Sequence, residues 1–263
     1  MKTKLRFNLA AASLVLAAFF APAASAQVTV DLKLALLVDV SGSVNDTEYG
    51  LQKNGYVQAF QSAAIQNAID AGALGRIAVT YIEWSGSLQQ SQLVNWTLID
   101  TAAQANAFAA SISGTARAFT GGNTAPGSAL NFATPLFASS NSLFTSDRWV
   151  IDVSGDGAEN AGANTFAARA AALAAGVDTI NGVVILGEAG LAAFYTNNIV
   201  GGTNGFLETA TTFQDFGEAI DRKLIREIRQ TPVPEPSTYG LIGAAVLMGV
   251  VVLRRRNKAA AVA

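Results

Sequence analysis

From about residue 29 to residue 230 the chain alternates between two hydrophobic patterns. Leu34-Ala-Leu-Leu-Val38 is a continuous apolar run, the mark of a strand buried on both faces. Asn45 then opens a helix, with Glu48 three residues on at capping-box spacing. Tyr56, Ala59, Phe60, Ala63 and Ala64 recur at helical intervals and predict its buried face. Arg76–Trp84 reads as a second strand. Gln92–Leu98 reads as its hairpin partner, joined through a turn at Ser85-Gly86-Ser87. Helices are expected over Thr101–Ser113 and over Thr124–Phe137, the latter with Pro126 in its first turn. Arg148–Val153 is a strand, Thr165–Ala175 an alanine-rich helix and Thr179–Leu186 another strand. Phe206–Thr212 fits an edge strand. The last helix carries Phe213, Phe216, Ile220 and Leu224 on one face.

Strands alternating with helices of this length imply an α/β fold: a three-layer, doubly wound, mostly parallel sheet with helices on both faces and one antiparallel edge strand. In such sheets ligands bind beyond the carboxyl ends of the strands. The loops after Val38, after Val153 and before the Thr124 helix are therefore where chemistry is expected.

The two ends follow other patterns. Lys2, Lys4 and Arg6 precede an apolar stretch from Leu9 to Phe20, and Ala24-Ser25-Ala26 has the small-x-small form of a signal-peptidase site. Residues 1–26 are read as a secretory signal, with the mature chain starting at Gln27. At the other end, Thr231-Pro-Val-Pro-Glu-Pro-Ser237 is a stiff, extended linker. Residues 239–253 are wholly apolar and would span roughly 22 Å as a helix, against a bilayer core of about 30 Å. Arg254-Arg255-Arg256 would keep the far end cytoplasmic and the domain outside. The domain boundaries are thus 1–26, 27–230 and 231–263.

This ending resembles the PEP-CTERM sorting signal: Val233-Pro-Glu-Pro-Ser237, an apolar helix and an arginine cluster, in that order. The resemblance implies handling by an exosortase in a Gram-negative bacterium that makes extracellular polysaccharide. It also implies membrane anchoring before the tail is processed, and association with exopolysaccharide.

Composition narrows the chemistry. The 263 residues include no cysteine and no histidine. A disulfide framework, a zinc ribbon, a thiol nucleophile and a histidine base are all excluded. Any metal must be held by oxygen, which favours Mg²⁺ first and Mn²⁺ or Ca²⁺ after it. The formal net charge of −2 hides an asymmetry: residues 27 to 253 keep ten of the seventeen basic residues and all nineteen acidic ones, a net charge of −9. An acidic domain without a basic stripe is no nucleic-acid binder.

The candidate chemistry follows the first strand. Asp39-Val40-Ser41-Gly42-Ser43 sets three oxygen-bearing side chains on one tight loop, with Gly42 letting the backbone bend between the hydroxyls. Gly121-Gly122-Asn123-Thr124 delivers a threonine hydroxyl at a helix start. Ser154-Gly155-Asp156-Gly157 places a carboxylate just past a strand. Each alone has an ordinary use, as turn, cap or loop. In order and after strands, they point together to a divalent-ion site.

Asp-x-Ser-x-Ser, a Thr after a glycine-rich turn and Asp-Gly after a strand resemble the metal-ion-dependent adhesion site of von Willebrand factor A domains, over roughly residues 31 to 229. Tyr81-Ile-Glu-Trp84, Asp152-Val-Ser-Gly-Asp-Gly157 and Lys223-Leu-Ile-Arg-Glu227 place the chain near an uncharacterised bacterial branch (DUF1194-like). The resemblance implies Asp39, Ser41, Ser43, Thr124 and Asp156 as metal ligands. It implies a protein partner whose carboxylate completes the shell. The family's second Asp normally follows Thr or Ser directly. Here Gly155 intervenes, so Asp152 stands as an alternative to Asp156, and Thr120 as one to Thr124. Glu83, Trp84 and Glu159 fall near the expected rim.

No Ser-His-Asp or Cys-His set, Ser-x-x-Lys or Gly-x-x-x-x-Gly-Lys loop is present, and the chain is read as non-enzymatic. A metal-dependent adhesion module ranks first. A structural matrix protein with a non-functional metal site ranks second, and a metal-dependent hydrolase third.

Overall fold

The computed structural model describes residues 27–230. The expected signal segment 1–26 and the sorting tail 231–263, with its apolar stretch 239–253, lie outside the described residues. Among the described residues no helix is long and apolar enough to cross a membrane.

The sheet is built on β2 (Leu32–Asp39), parallel to β3 (Ile77–Trp84) on one side and to β6 (Trp149–Gly155) on the other. β4 (Gln90–Ile99) closes one edge, antiparallel to β3. β7 (Thr179–Ile185) continues beyond β6 and pairs in parallel with β9 (Leu207–Ala210). β8 (Gly201–Gly202) adds a short antiparallel bridge to β7. A separate small pairing joins β1 (Val28–Thr29) to β5 (Phe144–Thr145), which the hydrophobic pattern did not announce because two-residue strands have no period to read.

β2 explains the three layers by itself. Leu32, Leu34, Leu36 and Val38 enter one core, while Ala35 and Leu37 enter the other. A strand with apolar side chains on both faces is stable only when covered twice. The first core is roofed by α1 (Asp46–Gln61), α2 (Ala63–Asp70), α3 (Ala102–Gly114) and α7 (Phe216–Arg229). The second is roofed by α4 (Pro126–Ser139), α5 (Thr165–Ala174) and α6 (Leu191–Phe194), with the π turn Tyr195–Ile199 that follows α6. The expected three-layer, mostly parallel α/β architecture is the one observed.

Local rules hold at most boundaries. Asn45 Oδ1 accepts from the Thr47 and Glu48 amides while Glu48 reaches back to the Asn45 amide, a complete capping box. The predicted helical face through Ala63 and Ala64 needs correction. Ser62 is extended and its Oγ caps α2, so the chain restarts there and both alanines are exposed. Phe213 lies in a 3₁₀ turn ahead of α7 and not within it. Neither α6 nor its π turn was anticipated, since their nine consecutive residues carry no clear period.

One fully buried ionic group lies under α7. Lys223 Nζ is 2.6 Å from Asp152 Oδ1 on β6 and 2.5 Å from Glu227 Oε1. Asn181 of β7 donates to Glu227 at 2.8 Å and accepts from the Phe206 amide at 3.0 Å. This group ties the last helix to the centre of the sheet.

Candidate metal centre

Parallel strands end together, so β2 and β6 deliver their following loops to one edge. In register, Val38 faces Ser154, which sets Asp39 beside Gly155. Asp39 is fully buried, and its Oδ1 accepts from the Ser41 amide at 2.8 Å, which folds the loop back on itself. Ser41 Oγ and Ser43 Oγ are 3.3 Å apart. Ser43 Oγ donates to Asp156 Oδ1 at 2.6 Å. Thr124 Oγ1 donates to Ser41 Oγ at 3.3 Å. The five side chains singled out in the sequence therefore converge from three loops.

Local backbone chemistry holds this arrangement. Gly42 is not among the glycines with positive φ. Its role is close approach: the Gly42 amide donates to Gly122 O at 3.0 Å, and a Cβ at residue 42 would meet that same oxygen at 3.0 Å. Gly122 itself has φ of +116°, open only to glycine without strain. Thr124 is not a helix cap. Ala125 is the N-cap of α4, without a side-chain bond, and Pro126 follows at its start. The Thr124 hydroxyl is left for the site. Its amide donates to Asn160 Oδ1 at 2.8 Å.

The alternatives fall away on position. Asp152 points to the opposite face of β6, where Lys223 holds it. Thr120 is exposed and outside the cluster. The expected rim residues have internal duties. Glu83 is buried and accepts from Tyr49 at 2.9 Å and from the Ala118 amide at 2.7 Å. Glu159 accepts from the Thr165 amide at 2.6 Å, at the start of α5. Trp84 is buried in the second core.

Sequence reasoning missed Arg117. Its guanidinium donates to Val44 O at 2.6 Å and Val40 O at 3.1 Å, pairs with Asp46 at 3.0 Å and stacks over Tyr49. It clamps the Asp39–Ser43 loop from the carbonyl side. A lone arginine in an irregular segment carries no pattern that would reveal this. Gln52 likewise donates to Asp39 O at 3.2 Å.

The electrostatics favour a cation. Burial, reinforced by the Asp156 charge, pushes the Asp39 carboxyl up to about 7. Burial also raises Asp156, with Glu48 and Glu188 adding to it. Among the described residues no lysine or arginine pairs with either carboxylate. Asp39 Oδ2 is buried with no hydrogen-bond partner. An orphaned buried carboxylate oxygen beside a second carboxylate and three hydroxyls fits a hard divalent ion, because the ion relieves both the desolvation and the repulsion. Among the described residues no three Asp or Glu side chains gather at one point. The set is accordingly two carboxylates and three neutral hydroxyls, enough to balance a double charge and no more.

A family described as "Protein of unknown function (DUF1194)" matches residues 29–232, and the PEP-CTERM protein-sorting motif matches residues 232–256. No curated protein matches the sequence. Among solved structures, proximal thread matrix protein 1 from the mussel byssus aligns at 18% identity with a TM-score of 0.57, over 77% of this chain and 49% of that one. A form of the same protein with a zinc-occupied MIDAS motif aligns at 15% identity and a TM-score of 0.55. The pilus adhesin SpaC from Lactobacillus rhamnosus GG aligns at 14% identity and a TM-score of 0.52, over 76% of this chain and 30% of that one. This chain therefore spans half or less of the length of these proteins. At such identities the likeness is one of fold, that of the von Willebrand factor A domain.

Proposed function

The chain belongs to the DUF1194 family of unknown function, and from that premise we propose that it is an exported, non-enzymatic surface or matrix module that binds a protein through a divalent cation. Asp39, Ser41, Ser43, Thr124 and Asp156 would hold the ion. The observation that carries this reading is Asp39 Oδ2, a buried carboxylate oxygen with no partner at the point where three hydroxyls and Asp156 converge. When bound, the ion supplies a Lewis-acidic position able to accept a carboxylate oxygen from a partner's Asp or Glu. Mg²⁺ suits the all-oxygen donor set best, with Mn²⁺ and Ca²⁺ next.

The surroundings support the reading. The zinc-occupied MIDAS of the mussel protein and the adhesive role in the pilus protein's name belong to structures of this fold. The sorting motif supports export, and with it processing by an exosortase at a cell envelope. Arg148, just before β6, donates to the carbonyls of Glu227 and Gln230, so the last described residue lies at the amino-terminal end of the strand whose other end leads to the candidate site. Seven strand residues separate the two by about 20 Å.

Calorimetric titration of Mg²⁺ or Mn²⁺ into the purified chain tests this. Saturable one-site binding, lost in Asp39→Ala, is the expected result. Binding absent from the wild type, or unchanged in the variant, overturns it. The second reading, a matrix component whose metal site is unused, would then stand; it draws support from the matrix protein of like fold and from the sorting motif.

A further inference from the structure

Tyr195 opens the π turn and is fully buried, packed among α5, β7 and the second core. Its ring lies so close to β7 that a Cβ on Gly182 would come within 3.1 Å of it. Its hydroxyl, however, has no hydrogen-bond partner. Leaving a buried hydroxyl unsatisfied costs on the order of 1–3 kcal/mol, which phenylalanine would avoid in the same packing. Asp39 Oδ2 is orphaned in the same way.

The two orphans meet at Gly155. Asp39 follows Ala35 and Leu37 on the second-core face of β2, and Gly155 follows Ile151 and Val153 on the same face of β6. A Cβ on Gly155 would stand 2.5 Å from Tyr195 Oη and 2.7 Å from Asp39 Oδ2. The two oxygens are thus within about 5 Å of each other, the span of two hydrogen bonds across one water. Their chemistries are complementary: the phenol donates and the carboxylate accepts.

We propose that Tyr195 is a positioning residue of the metal centre. Its hydroxyl, acting over one bridging water, fixes the Asp39 carboxylate in the orientation that serves the cation. Residue 155 is glycine so that the two can meet. This gives the glycine between Ser154 and Asp156 a physical reason. The proposal rests on reading this edge as a metal site. Outer partners of ligating carboxylates govern affinity by about 10- to 100-fold.

The test uses Mn²⁺ alone as the probe and the full chain, with free Mn²⁺ counted by electron paramagnetic resonance. Tyr195→Phe keeps the ring and is expected to lose at least about tenfold in Mn²⁺ affinity, with an unchanged melting temperature in chelator. Gly155→Ala, which intrudes on the same junction from the backbone, is expected to lose affinity too. In an Asp39→Asn background, Tyr195→Phe should change nothing further. A tyrosine whose hydroxyl serves no carboxylate would raise the chelator melting temperature on becoming phenylalanine and leave affinity alone. Wild-type affinity in Tyr195→Phe, alongside its loss in Asp39→Asn, overturns the proposal while the metal site stands. A wild-type chain that binds no Mn²⁺ overturns both.

Discussion

Asp152 and Asp156 sit four residues apart, at the middle and just past the end of β6, and their surroundings are opposite. Asp152 is sealed beneath α7 and paired with Lys223, which also holds Glu227. The chain supplies its own counterion there. Asp156 shares its neighbourhood with a second carboxylate, Asp39, and with hydroxyls that carry no charge. Among the described residues no basic side chain neutralises that pair. A buried carboxylate with an internal ammonium is part of the architecture. A buried carboxylate without one is a request for a cation from outside. One strand thus carries a charge that is neutralised internally and leads directly to one that is not, and partner chemistry tells them apart.

The comparison is tested hardest at its closed end. Lys223→Met leaves Asp152 and Glu227 buried without compensation and should destabilise the fold by about 3–5 kcal/mol in urea denaturation. A loss below about 1 kcal/mol would show that the ionic group under α7 is not structural.

The open end should respond with the opposite sign. Asp39→Asn removes a buried, repelled charge, so the chelator-treated variant should be more stable than the wild type at pH 8, by about 2 kcal/mol. The folded pKa of about 7 lies above the ordinary value of 3.8. The wild type therefore keeps its full stability below about 4 and loses it as pH rises through 7, and the advantage of the variant should vanish at pH 4. A destabilised Asp39→Asn would erase the distinction between the two regions.

The same shift governs binding. A metal must displace the Asp39 proton at any pH below about 7. Apparent Mn²⁺ affinity should fall by about tenfold per pH unit beneath that value and level off above it. Calorimetry in two buffers of different ionisation enthalpy reads the proton released. Affinity independent of pH between 5.5 and 8 would mean that Asp39 is not a ligand.

How much of this was legible in the sequence follows from the same physics. The doubly covered strand Leu34–Val38 and the capping box at Asn45 are local patterns, and they placed the layers. The convergence of the five side chains was readable because each lies in a short motif, beside a strand end or, for Thr124, just ahead of a helix. Arg117 and Tyr195 were not, because what they do depends on chain segments more than 70 residues away in Arg117's case and on an irregular turn in Tyr195's. The sequence set Asp156 ahead of Asp152 on motif order alone, and the physical ground for separating them is Lys223, on the last helix, which lies against only Asp152.

The gentlest test concerns Thr124. If its hydroxyl were a helix cap, Thr124→Val would cost about 1 kcal/mol of stability. In the fold, Ala125 occupies the cap position, and the Thr124 amide and carbonyl are already engaged with Asn160. Only the hydroxyl is committed to the edge: it donates to Ser41 Oγ, and a Cβ on Gly157 would come within 3.3 Å of it. Thr124→Val should therefore leave the denaturation midpoint within about 0.5 kcal/mol while lowering Mn²⁺ affinity about threefold, the worth of one neutral hydrogen-bonding group. Thr124→Ser restores the hydroxyl and should restore the affinity. A variant that loses stability and keeps its affinity would return Thr124 to the scaffold, and would leave the open end of β6 with two hydroxyls where three are expected.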